Sequence, residues 1–119
     1  MRFSKMLGIA LVLLSAVAIA SQNKMGIHEV SNVTFDTAVH IGSTVLPAGS
    51  YVVRHTMEGE EHVMAFELVG HKQVFKVKCT LVPLTNKAQT NESVIETTSA
   101  NEKVLRELIF RGDTAKHVF

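Results

Sequence analysis

Tyr51-Val-Val-Arg-His-Thr-Met57, Glu58-Gly-Glu-Glu61, His62-Val-Met-Ala-Phe-Glu-Leu-Val69, Gly70-His71 and Lys72-Gln-Val-Phe-Lys-Val-Lys-Cys-Thr-Leu-Val82 follow one another without interruption. Each long run is rich in β-branched residues and alternates apolar with polar, and each short one carries a turn-forming Gly. The stretch therefore reads as three antiparallel strands joined by tight hairpins. In the third run Phe75, Val77, Cys79 and Leu81 point one way while Lys76, Lys78 and Thr80 point the other, as in a sheet with one packed and one wet face.

The same alternation extends outward. Upstream, Val33, Phe35, Thr37, Val39 and Ile41 share a face. Gly42-Ser43 then turns the chain into Thr44-Val45-Leu46, and Pro47-Ala48-Gly49 turns it again, because Pro fixes φ and Gly tolerates positive φ. Downstream, residues 84–93 are polar and aperiodic and read as a loop, and residues 94–98 resume a strand. The next segment supports two readings. Ser99-Ala-Asn-Glu102 followed by Val104, Leu105, Leu108 and Ile109 fits a capped helix, and it equally fits a turn entering a strand over residues 103–110. Strand is adopted, in a chain otherwise built of hairpins, with a last hairpin through Gly112-Asp113 returning His117-Val118-Phe119. The expected fold class is all-β: a small antiparallel β-barrel or β-sandwich of consecutive hairpins over residues 30–119, after a linker over residues 21–29.

The chain holds 119 residues, with 12 Lys and Arg against 11 Asp and Glu. Its apolar content is concentrated at the start: residues 7–20 include only Gly8 and Ser15 as non-apolar members, and Arg2 and Lys5 precede them. Ala18 and Ala20 supply the small residues that signal peptidase requires at −3 and −1, so residues 1–20 read as a helical signal peptide cleaved after Ala20. The run is shorter than the roughly 20 residues needed to cross about 30 Å of hydrocarbon. Membrane contact is then transient, and the expected location is the periplasm or outside the cell. Beyond residue 20 the balance is 10 basic to 11 acidic residues. No basic patch interleaved with aromatics remains, which speaks against a nucleic-acid partner. The 40 apolar residues among the last 99 suffice for one small core. Cys79 is the single cysteine and has no disulfide partner within the chain.

Thr44-Val-Leu-Pro-Ala-Gly-Ser-Tyr-Val-Val53, placed after a strand beginning Val33-Thr-Phe-Asp36, resembles small exported bacterial β-proteins in which an L-P-A-G-x-Y turn opens a hairpin. Phe110-Arg-Gly112 and His117-Val-Phe119 look like the end of the same group. The resemblance implies an all-β barrel or sandwich after a signal peptide, with strand rather than helix at the C-terminus. It brings no activity and no catalytic residue.

Six histidines stand beside a single Tyr and no Trp. If Glu58-Gly59 is the hairpin turn, Met57 faces Glu60 and His55 faces His62. If Gly70-His71 is the next turn, Phe66 faces Phe75 and His62 faces Cys79. His55, His62 and Cys79 would then form one row across three strands. Imidazole with thiolate suits Zn or Cu, and Met57 or Met64 could add a thioether for Cu(I). The same residues also fit a wet rim with a small buried thiol, and the sequence leaves both readings open. Arg111-Gly-Asp113 spells an integrin-type tripeptide but also a hairpin turn, and Glu58, Glu60 and Glu61 suit a solvated loop tip. No nucleophile stands in a recognisable signature, so no enzyme is expected. The expected function is that of a non-catalytic exported β module that binds a partner protein or small ligand. The alternatives are a Zn- or Cu-binding protein using His55, His62 and Cys79, and an apolar-ligand carrier lined by Phe35, Val53, Met64, Phe66 and Phe75.

Overall fold

Nine strands form in the computed structural model, which describes residues 26–119, and no helix occurs among them. They are β1 (Val30–Phe35), β2 (Val39–Ile41), β3 (Thr44–Leu46), β4 (Gly49–Glu58), β5 (Glu61–Leu68), β6 (Val74–Pro83), β7 (Glu92–Thr97), β8 (Lys103–Ile109) and β9 (Ala115–Val118). The expected signal helix, with Ala18 and Ala20, lies outside the described residues. Residues 103–109 are strand, and the turn before them is closed by the Thr98 N–H donating to the Glu102 carbonyl at 2.9 Å. Asn101 takes φ 61° there, a conformation its short polar side chain tolerates.

Neighbours in sequence make hairpins, as read: β2 with β3, β4 with β5, β5 with β6, β7 with β8 and β8 with β9. The sheet is not, however, a barrel of consecutive hairpins. Its order is β1-β4-β5-β6-β9-β8-β2-β3 with β7 attached to β8, and it does not close. Three joints are long-range: β1 with β4, β6 with β9, and a parallel contact of β2 with β8 through His40 and Val104. The physical cause lies at Asp36-Thr37-Ala38. These exposed residues interrupt the continuous strand expected from Val33 to Ile41 and carry the chain from the β4 side of the sheet to β8. The outer edge of β1 is left without a strand to close upon.

Strands three places apart would stand about 14 Å from one another in a flat sheet. β4 and β9 are three places apart, yet the rings of His55 and His117 have centroids 5.6 Å apart. The sheet therefore coils, in the manner of twisted antiparallel sheets, around a cluster that includes Phe35, Leu46, Tyr51, Val53, Met64, Phe66, Leu105 and Leu108. Tyr51 is its hub. Its ring lies 5.9 to 6.5 Å from those of Phe35, Phe66 and Phe75, and its hydroxyl donates to the Pro47 carbonyl. The L-P-A-G-x-Y turn is thus closed by its own tyrosine. Gly49 sits at φ 149°, a conformation that L side chains rarely adopt, and a Cβ there would press on Leu68 Cδ1 at 2.8 Å, so a larger residue would be strained. Phe35, Val53, Met64 and Phe66, named above as a carrier's lining, are buried in this cluster, with Phe75 packed against it.

Residues 26–29, read as the end of a linker, are docked. Ile27 is fully buried, and the Glu29 carbonyl accepts the His55 N–H at 2.8 Å. The backbone N–H and Nδ1 of His28 both donate to Oδ1 of the buried Asp113.

Candidate functional site

The hairpin between β4 and β5 turns at Gly59-Glu60, with Gly59 at φ 64° and Glu58 opposite Glu61. Moving a two-residue turn by one position shifts every pair by two residues. His55 therefore stands opposite Met64, and Met57 opposite His62, where the sequence reading had His55 opposite His62. A shift of two preserves which face each side chain occupies, whereas a shift of one would reverse it. His55 and His62 thus remain on the same face as diagonal neighbours, and their rings meet: Nε2 of His55 is 3.0 Å from Nδ1 of His62, with centroids 5.0 Å apart. One imidazole N–H donates to the other's lone pair.

The second register is as read, with His62 opposite Cys79 and Phe66 opposite Phe75. The loop is longer than two residues, since the Leu68 N–H donates to the Gln73 carbonyl at 3.2 Å. The row of His55, His62 and Cys79 is therefore present, with its first member offset. Glu58 and Glu61 pair on the outer face with Lys76 at 3.1 Å and Lys78 at 3.0 Å, as exposed loop-tip carboxylates do.

A fourth member was missed. His117 stands on β9 opposite Leu81 of β6 and Leu108 of β8, on the face that also holds Cys79. Its ring is fully buried, tilted against His55 at 5.6 Å and edge-on to Phe110 at 5.7 Å. Neither ring nitrogen has a hydrogen-bond partner at normal geometry. The signal was in the sequence: Ala115, His117 and Phe119 alternate with Lys116 and Val118, which aims the imidazole inward.

Burial favours the neutral form of His55 and His117. His55 is pushed below the usual histidine range by burial and by His62, with Glu29 opposing. His117 is pushed down to about 4 by burial and then by His55; the Leu108 backbone opposes this, and His62 adds to it. Neutral imidazole offers a lone pair, the form that metals take. Burial acts oppositely on Cys79, raising its thiol to about 11, and a thiol must lose its proton to ligate.

His62 and Cys79 also line a surface cavity of about 320 Å³ with Glu60, Glu61, Lys78 and Thr80, so the cluster has an opening to solvent edged by carboxylates. As the side chains stand, no three His, Cys, Asp or Glu groups among the described residues converge into a metal-holding set. His55 and His62 form a pair, and a third ligand must turn its side chain to join them.

Asp113 of the Arg-Gly-Asp tripeptide is fully buried at the β8–β9 turn, where it anchors His28. It is not displayed for recognition. Searches against protein-family models, curated proteins and solved structures returned no match, so the chemistry of the site rests on its geometry.

Proposed function

We propose that the protein is an exported, non-catalytic β module whose ligand is a zinc- or copper-class metal ion held at the His55–His62 imidazole pair. The observation that carries this reading is the 3.0 Å approach of His55 Nε2 to His62 Nδ1 beside an opening to solvent. Two ligands on one tetrahedral ion at about 2.1 Å each have nitrogens about 3.4 Å apart, so the pair is within a few tenths of an ångström of the spacing that an ion needs. Export follows from Arg2, Lys5, the apolar run of residues 7–20 and Ala18 with Ala20. In that location the pair would capture or buffer the ion, or present it to a partner.

The test is thermal unfolding of the chelator-treated protein with and without added Zn²⁺. An ion at 100 times its dissociation constant contributes about 2.7 kcal/mol to the folded state. The midpoint should rise accordingly in the natural protein and stay fixed in the His55→Ala, His62→Ala double variant. A midpoint indifferent to Zn²⁺, Cu²⁺ and Cu⁺ would remove the reading.

A reading as a partner-protein module has its own support. β1 and β7 are both edge strands, and Phe35 with Ser93, Ile95 and Thr97 line one cavity of about 400 Å³ between them. A partner's strand could add there by backbone pairing. Ile95→Lys would abolish such an interaction and leave metal binding intact.

A further inference from the structure

We infer that His117 is the third ligand of the ion, so that the site is a three-imidazole set of His55, His62 and His117 with Cys79 adjacent and unbound. This rests on the metal-binding reading above and goes beyond the row His55, His62 and Cys79 that strand pairing alone suggests.

Ring geometry is the first support. An ion about 2.1 Å from an imidazole nitrogen is about 3.2 Å from the ring centre, and two such rings at a tetrahedral angle have centres about 5.2 Å apart. The centroids of His55 and His62 are 5.0 Å apart, and those of His55 and His117 are 5.6 Å apart. Each separation suits a pair of ligands on one ion, with His55 common to both pairs. No three such groups among the described residues converge as the side chains stand, so binding requires the His117 ring to turn about its side-chain torsions.

The second support is independent of the first. Interiors satisfy their polar groups, and a buried imidazole with both nitrogens orphaned is an exception that calls for a cause. His117 is fully buried, and neither nitrogen has a hydrogen bond of normal geometry although the Leu108 backbone lies beside the ring; a metal–nitrogen bond would satisfy one of them. Cys79, by contrast, is packed as a small hydrophobe in the apolar core cluster. Three imidazoles, with His62 lining the cavity, would form an open site for a zinc- or copper-class ion.

The experiment titrates the chelator-treated protein with Co²⁺ by absorption and with Zn²⁺ by calorimetry. The natural protein should take one Co²⁺ and show tetrahedral visible bands without thiolate charge-transfer absorption in the near ultraviolet. Zn²⁺ should shift the ring nitrogen resonances of His55, His62 and His117 together in that same unmutated protein. Cys79→Ser should bind within a factor of about two of the natural chain, and His117→Leu should bind about 100-fold more weakly or worse. Equal affinity in His117→Leu, an unmoved His117 resonance, or a thiolate band that Cys79→Ser removes would each overturn the three-imidazole site while leaving metal binding in place. Absence of any Co²⁺ or Zn²⁺ binding to the natural chain would overturn both.

Discussion

His55 and His62 meet ring to ring at 3.0 Å although neither is the other's cross-strand partner. The diagonal across a hairpin is ordinarily the longer approach, about 7–8 Å between backbones, and two long planar side chains leaning towards each other close it. The contact places two imidazole rings at one end of the core, beside a third imidazole whose nitrogens make no hydrogen bond of normal geometry.

That third imidazole should cost stability in the metal-free protein. A buried polar group without a partner is destabilising, and an apolar replacement of similar volume removes the penalty. His117→Leu should therefore raise the unfolding free energy in chelator by about 1–2 kcal/mol. Urea denaturation reads this directly, and a loss of stability would show that the ring is better satisfied than its surroundings indicate.

The metal-free protein should also weaken in mild acid. His117 titrates near 6.5 when unfolded and at about 4 in the fold. Between those values the unfolded chain binds a proton that the native one refuses, so stability falls as pH drops from about 6.5 towards 4 and is level on either side for this group. The full difference is about 3 kcal/mol. Denaturant midpoints across that window should slope accordingly, and His117→Leu should flatten the slope.

Asp113 should matter for the fold rather than for recognition. It is fully buried and accepts both the backbone N–H and Nδ1 of His28, which ties residues 26–29 to the β8–β9 turn. Asp113→Ala leaves those donors facing a void and should cost about 2–4 kcal/mol. Hydrogen exchange should accelerate at the Thr114 and His55 amides, which bond to the Gly26 and Glu29 carbonyls.

Cys79 should be inert while the protein is folded. A thiol raised to about 11 and only 9% exposed presents almost no thiolate near neutrality. An aromatic disulfide reagent at pH 8 should label it slowly in native buffer and immediately in denaturant. Rapid native labelling would mean that the cavity beside His62 opens onto the sulfur.

The strands and their faces were legible because period-two alternation is a local property: Phe75, Val77, Cys79 and Leu81 announce the inner face of β6 without any neighbour. The turn at Gly59 was placed one residue early, and the error was harmless to the site because a shift of two residues keeps each side chain's face. The long-range joints were not legible. Nothing near Val30 names Arg54 as its partner, and nothing in Asp36-Thr37-Ala38 by itself announces a break that leaves the sheet open. His117 fell between these cases. Its inward direction follows from alternation with Lys116 and Val118, but its meeting with His55, 62 residues earlier, depends on the coiling of the whole sheet.

The most direct measurement is native mass spectrometry of the protein purified from an exporting host without chelator. A mass one zinc or copper ion above the chain, lost in the His55→Ala, His62→Ala double variant and reduced in His117→Leu, is the result expected. A bare chain mass that stays bare after incubation with either metal would contradict the claim that this imidazole cluster is a metal site.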